Sequence, residues 1–193
     1  MSPPLVLASS SRYRRELLER LGIPFQTDAA GLDESRCPGE KPGQLVARLA
    51  REKALQVAER HPDALVIGAD QIAVCEDEIL GKPGTAAGNI AQLQRASGRA
   101  LTFLTAVCLL HSHERRREEH VDETVVRFRQ LSEAEISRYV ELERPYDCAG
   151  GFKCEGLGIA LFERIESNDP TALIGLPLIW VCGALRRAGV KLP

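Results

Sequence analysis

Residues 64–74 read Ala64-Leu65-Val66-Ile67-Gly68-Ala69-Asp70-Gln71-Ile72-Ala73-Val74. The run is almost continuously apolar and far too short to span a bilayer, so it predicts a buried strand. Asp70 interrupts it. A carboxylate in the middle of a buried strand is costly unless it is paired or binds a metal. A structural aspartate capping a neighbouring turn is one reading, and a catalytic carboxylate is the other.

The segments around this strand alternate short apolar runs with longer helical ones. Upstream, Leu5-Val6-Leu7-Ala8 reads as a strand. A serine-rich turn and a helix over 11–21 follow, with Leu17, Leu18 and Leu21 on one side. Residues 42–60 are the clearest helix, because Leu45, Leu49, Ala50, Ala54, Val57 and Ala58 recur at helical spacing. Downstream, Gly81-Lys82-Pro83-Gly84 marks a turn, and a helix over 86–96 is closed by Gly98. Strands over 101–111 and 123–129 are joined by a charged stretch. Ser132 and Glu135 form a capping box opening a helix over 132–141. The glycine-rich segment 149–158 reads as a loop and 158–165 as a strand. Pro177 stands near the start of a last helix reaching about residue 188. The expected architecture is α/β or α+β with a mixed sheet. No repeat, low-complexity tract or linker divides the chain, so one domain over 1–193 is expected.

The bulk numbers exclude several classes. With 193 residues, 44% hydrophobic and 27% charged, the chain can bury a substantial core. A net charge of −2 lacks the basic footprint of a nucleic-acid binder. The one dense basic run, within 111–120, is flanked by glutamates with no aromatic interleaved, and reads as a solvated hairpin tip. Met1-Ser2-Pro3-Pro4 has no basic region of a signal peptide, and no apolar stretch reaches membrane-spanning length. The six cysteines (Cys37, Cys75, Cys108, Cys148, Cys154, Cys182) include no C-x-x-C pair. Reduced thiols in a cytoplasmic protein are expected.

Three further places strain the local rules of charge placement. Ser9-Ser10-Ser11-Arg12-Tyr13-Arg14-Arg15 puts three arginines in the first turn of a helix, against the macrodipole. A bound phosphate would balance them; otherwise they splay into solvent or pair with Glu16 and Glu19. Lys53 falls on the stripe that buries the second helix. It either snorkels or points into a polar cleft. Asp33-Glu34, with Glu40 following, lies in a polar loop. Cations that hold phosphates and carboxylates that hold Mg²⁺ or Mn²⁺ are the inventory of metal-assisted phosphoryl chemistry. No Gly-x-x-x-x-Gly-Lys loop and no Gly-x-Gly-x-x-Gly after a strand is present.

At these positions the chain resembles the Maf family of nucleotide pyrophosphatases. The matching segments are Leu7-Ala8-Ser9-Ser10-Ser11 with Arg14, Asp33-Glu34, Arg51-Glu52-Lys53-Ala54 and Ile67-Gly68-Ala69-Asp70. Gly81-Lys82-Pro83, Ser97-Gly98, Ala149-Gly150 and Gly175-Leu176-Pro177 continue the series in order. The family pattern has a proline after the serine-rich turn, where this chain has Arg12. The resemblance implies a two-lobed α/β fold, similar to inosine-triphosphate pyrophosphatases, with a mixed curved sheet flanked by helices and the active cleft between lobes. It implies a divalent cation, Mg²⁺ or Mn²⁺, and hydrolysis between the α and β phosphates. Asp70 matches the proton acceptor, with Glu34, Lys53 and Lys82 completing the catalytic set and Asp70 and Glu34 as metal ligands. Ser9 and Arg14 match phosphate-proximal positions. A nucleotide partner, no nucleic acid or membrane, and homodimerisation are further expectations.

Within the family, Tyr13, Gln71 and Glu155 resemble the branch acting on 7-methyl-GTP rather than on pyrimidine triphosphates. Phe152-Lys153-Cys154-Glu155-Gly156 and Asp169-Pro170-Thr171-Ala172-Leu173-Ile174 agree with it. The implied reaction yields 7-methyl-GMP and diphosphate. A pyrophosphatase for other non-standard or pyrimidine triphosphates, or a nucleotide-binding regulator of cell division or septum formation, are the alternatives. N7-methylation makes guanine cationic, and stacking on an aromatic face such as Tyr13 is worth about 0.5–2 kcal/mol. Glu155 can accept from the guanine N1–H and exocyclic amine. The competing reading packs Tyr13 on the first helix and pairs Glu155 with Lys153.

Overall fold

The computed structural model describes residues 3–76, 78–114 and 116–193. Met1 and Ser2 of the N-terminal stretch and Arg115 of the charged run therefore lie outside the described residues. The chain groups into two compact units. One comprises residues 1–70, 105–122 and 169–193, and the other residues 71–104 and 123–168.

Five helices are present among the described residues: α1 (Arg12–Glu19), α2 (Pro42–Ala58), α3 (Ala86–Ala96), α4 (Glu133–Glu143) and α5 (Leu178–Arg187). The strands are β1 (Leu5–Leu7), β2 (Gln26–Thr27), β3 (Leu65–Cys75), β4 (Glu78–Leu80), β5 (Ala100–His111), β6 (Arg116–Phe128) and β7 (Phe162–Ser167). They form one mixed sheet in the order β2-β1-β3-β5-β6-β7, with β4 paired antiparallel to β3. β1 runs parallel to both β2 and β3, with Leu7 opposite Ile67. No helix among the described residues is long and apolar enough to cross a membrane.

The first unit is held by Leu5, Leu7, Leu17, Leu18, Leu65, Ile67, Leu109, Leu176 and Leu185, all buried together. Each full burial of such a side chain contributes roughly 1.5–3 kcal/mol. Asp169 fastens α5 to it by accepting from Ile179 N at 2.6 Å and Thr171 N at 2.9 Å. The second unit is organised around Phe103, Phe128, Phe152 and Phe162, whose rings meet edge to face at 4.8–5.5 Å. There the capping box of Ser132 and Glu135 is formed, opening α4.

Three stretches differ from the sequence expectation. Residues 116–120 belong to β6 rather than to a hairpin tip. Arginines and glutamates alternate two apart there, so each pair shares a strand face. Arg117 meets Glu119 at 2.8 Å, and Glu118 meets Arg187 of α5 at 2.7 Å. The segment 157–161 is a short 3₁₀ turn rather than the start of a strand. A Cβ at Gly158 would lie 2.3 Å from the Lys153 carbonyl oxygen, a closeness that only a folded-back turn at glycine permits. The loop expected over 149–158 likewise begins with a 3₁₀ turn, Ala149–Gly151. The two-residue β2 and three-residue β4 are too short to show a periodicity in sequence.

The contact between α2 and β3 is the one that matters for chemistry. A Cβ on Gly68 would fall 2.1 Å from the Ala50 carbonyl oxygen and 2.7 Å from Ala54 N. Glycine in β3 and alanines in α2 thus let helix and strand backbones approach unusually closely. Gly68→Ala is expected to destabilise the protein by about 3 kcal/mol, since backbone cannot give way as a flexible side chain can. Chemical denaturation measures this; an unchanged midpoint would mean the approach is not structurally required.

Candidate active site

The serine-rich turn between β1 and α1 shows how the three arginines are accommodated. Ser11 caps α1, its Oγ accepting from Arg14 N at 3.4 Å. Arg15 turns outward and pairs with Glu19 at 2.9 Å. Arg12 lies over the Tyr13 ring, 4.7 Å from its centroid, and its Nη2 donates to Tyr13 Oη at 3.1 Å. Arg14 turns inward. Its Nε donates to the Gly175 carbonyl at 3.0 Å and its Nη1 reaches Ser9 Oγ at 3.5 Å. Gly175 has a φ of 125°, a conformation that favours glycine. Ser9 is buried and its Oγ also accepts from Ser11 N at 3.1 Å. Burial pulls the Arg14 guanidinium below its ordinary pKa, while the charges of Asp70 and Glu34 push it back up.

Those two carboxylates meet at Lys53. Lys53 is on the apolar stripe of α2, yet its ammonium does not snorkel to solvent. Nζ donates to Asp70 Oδ1 at 2.7 Å and pairs with Glu34 Oε1 at 2.6 Å. The side chains of Lys53 and Asp70 are 10% and 9% exposed, and that of Glu34 58%. A buried carboxylate and a solvent-reaching carboxylate therefore share one ammonium. The Asp70 carboxylate that strained the sequence pattern has its ion-pair partner on α2, rather than the role of a turn cap. Lys53 stands one residue before Ala54 and Asp70 two after Gly68, so the close helix–strand approach brings the pair into reach.

Ser9, Arg14, Glu34, Lys53 and Asp70 thus gather within the first unit. Gln71, Lys82 and Glu155 are carried by the second. Gln71 follows Asp70 on β3 and is half-buried, and Lys82 is exposed in the turn after β4. Glu155 is exposed, its Oε2 accepting from Cys154 Sγ at 3.4 Å. The Lys153 ammonium goes to Glu143, at 3.2 Å from its carbonyl and 3.3 Å from Oε1. The alternative pairing of Glu155 with Lys153 is therefore not made. Sequence reasoning missed the Gly175 carbonyl as the acceptor for Arg14, because a backbone acceptor has no side-chain signature.

The donor set fits a hard divalent cation. Glu34 and Asp70 direct carboxylate oxygens at a single positive point. Mg²⁺ or Mn²⁺ is commonly held by one or two carboxylates completed by substrate phosphates and water. No three His, Cys, Asp or Glu among the described residues converge into a self-sufficient cage. Two carboxylates with a lysine and an arginine beside them suit a cation shared with a polyphosphate.

A sequence model of one family, described as Maf-like protein, matches residues 4–188. The chain belongs to the Maf family. Among its Maf relatives, a 7-methyl-GTP pyrophosphatase of Alkalilimnicola ehrlichii is 54% identical over 190 residues, covering 98% of this chain and 96% of that protein. A 7-methyl-GTP pyrophosphatase of Cupriavidus metallidurans is 52% identical over 187 residues, covering 97% and 94%. One of Pseudomonas aeruginosa is 51% identical over 191 residues, covering 99% and 100%. The mixed sheet with flanking helices described above is thus the fold of a Maf protein.

Proposed function

We propose that this Maf protein is a pyrophosphatase that hydrolyses 7-methyl-GTP to 7-methyl-GMP and diphosphate, in the cytoplasm and with Mg²⁺ or Mn²⁺. The observation that carries the reading is the shared ammonium: Lys53 between buried Asp70 and accessible Glu34, with Arg14 near both carboxylates. Binding alone requires no buried carboxylate beside the cations that would receive phosphates.

Asp70 and Glu34 would hold the divalent cation, which when bound neutralises phosphate charge and makes coordinated water more acidic. Asp70 acts as general base. Its carboxylate takes a proton from water as the water oxygen bonds to the α-phosphorus. The bond from that phosphorus to the oxygen bridging to the β-phosphate breaks, and pyrophosphate leaves with the bonding electrons. Lys53 and Arg14 offset the charge that accumulates on the phosphate oxygens, a task the family resemblance also gives to Lys82. Ser9 orients Arg14 through its Oγ.

Base selection falls to Tyr13, Gln71 and Glu155. The Tyr13 ring already carries a guanidinium on its face, which supports its use for a cationic base. Glu155, its carboxylate not claimed by Lys153, supplies acceptors for the guanine N1–H and amine. Glu155→Gln is expected to lower the preference for 7-methyl-GTP over dTTP about 10- to 100-fold, the worth of a hydrogen bond to a charged group. An unchanged ranking would remove Glu155 from base recognition.

The function is tested by hydrolysis of 7-methyl-GTP, GTP, ITP, UTP and dTTP with and without a chelator. The expected result is chelator-sensitive release of pyrophosphate, fastest with 7-methyl-GTP. Release of orthophosphate, or no turnover of any triphosphate, would overturn it.

A further inference from the structure

Glu34 lies in a stretch without helix or strand, between β2 and α2, with its side chain largely in solvent. A carboxylate on such a stretch would sample many positions unless something fixed its backbone. A side chain from α2 holds the backbone directly after Glu34. Arg48 of α2 donates from Nε to Glu40 Oε1 at 2.7 Å and from Nη2 to Glu40 Oε2 at 3.0 Å. The same Nη2 donates to the Ser35 carbonyl at 3.0 Å, and Nη1 donates to Glu52 Oε2 at 3.0 Å. Ser35 is the residue after Glu34, and Glu52 is the residue before Lys53. A single guanidinium therefore ties together the chain neighbours of both partners in the Glu34–Lys53 pair.

The loop is closed around that fork. Glu40 Oε2 also accepts from Cys37 N at 3.0 Å, its carbonyl accepts from Arg36 Nε at 2.6 Å, and Asp33 Oδ1 accepts from Ser35 N at 2.9 Å. Arg48 and Glu40 are 17% and 9% exposed, far less than an ordinary surface pair. The guanidinium holds the Glu40 carboxyl down at about 2, below its ordinary 4.5. This pairing contributes fully above about pH 4.5 and is lost as the pH falls from there toward 2, so the clasp is intact at neutral pH. The Arg48–Glu52 contact alone, at i,i+4 on α2, would be an ordinary helix-surface pair.

We infer that Arg48 is a positioning residue: it clasps the 33–40 loop so that Glu34 is presented beside Asp70, and so sets the affinity of the site for the divalent cation. The inference rests on the proposed role of Glu34 as a metal ligand. Residues that orient a ligand typically govern metal affinity by about 10- to 100-fold. Arg48→Met keeps the aliphatic stem on α2 but removes all four hydrogen bonds. Glu40→Gln leaves Arg48 in place and removes the charge from the other half of the fork.

The test measures Mn²⁺ binding by electron paramagnetic resonance in the presence of a non-hydrolysable nucleoside triphosphate, and hydrogen exchange of the 33–40 amides. Arg48→Met is expected to weaken Mn²⁺ about 10- to 100-fold and to deprotect the Cys37 amide, with α2 amides unchanged. Glu40→Gln should move both readouts the same way by a smaller factor, and it decides the matter if Arg48→Met fails to fold. Adding Arg48→Met to Glu34→Gln should then weaken Mn²⁺ little further, because the clasp acts through Glu34. Full additivity, or a loosened loop with unaltered Mn²⁺ affinity, overturns the inference. If Glu34→Gln itself leaves Mn²⁺ affinity unchanged, the assignment of Glu34 fails instead.

Discussion

Asp70→Asn is expected to lower kcat for 7-methyl-GTP by about 10³-fold or more, the upper range for loss of a general base together with a metal-facing charge. The amide has the shape of the carboxylate, and its Oδ1 can still accept from Lys53 Nζ, which donates at 2.7 Å in the native pair. The fold should therefore survive, with little change in melting temperature. What the amide cannot do is take a proton from attacking water. Pyrophosphate release in single-turnover experiments, alongside a melting curve, checks both halves. A variant that turns over near the native rate would mean that Asp70 is not the proton acceptor. A variant that melts far below the native protein would mean that the charge of Asp70 serves chiefly to hold the structure.

Lys53→Met is expected to destabilise the protein strongly. Lys53 is buried in the contact between α2 and β3, and its loss leaves the Asp70 carboxylate, 9% exposed, without its ion-pair partner. Removing one partner of a buried pair costs about 3–5 kcal/mol. Arg14 remains near Asp70 and offsets part of that loss, so about 3 kcal/mol is expected, or a fall in melting temperature of about 10 °C. The double variant Lys53→Met, Asp70→Asn should regain most of the stability, because no buried charge is then unmatched. It should regain none of the activity. A single variant as stable as the native protein would show that the carboxylate is solvated or otherwise balanced.

The fold was legible wherever its signal is local. The spacing of Leu45, Leu49, Ala50, Ala54 and Val57 marks α2, and all of these residues are buried. The Ser132–Glu135 capping box marks the start of α4 within one residue. The continuous apolar run around Gly68 marks β3. The sequence was less legible where pairing partners decide the outcome. β2 and β4 exist because neighbouring strands complete their hydrogen bonds, and residues 116–120 extend as part of β6, beside β5 in the sheet, with Arg51 and Arg187 meeting their glutamates at 3.5 and 2.7 Å. The candidate site divides the same way. Misplaced charge singled out Asp70, Lys53, Glu34 and the arginines of the serine-rich turn; among Arg12, Arg14 and Arg15 charge alone made no distinction, and only the family resemblance pointed to Arg14. Only Arg14 finds the Gly175 carbonyl, 161 residues away in the chain.

By itself, then, the order of amino acids determined the five α-helices and the longer strands, which family the chain resembles, and that a carboxylate in β3 needs a partner. Periodicity, caps and the cost of an unpaired buried charge all act within a few residues or on one group, so they are written in one dimension. Tertiary structure alone decided that the partner is Lys53, that Glu34 shares it, and that Arg48 reaches both Glu40 and the Ser35 carbonyl. An ammonium and a carboxylate select each other by distance. That distance follows from a glycine in one element lying against two alanines in another, which no local pattern encodes.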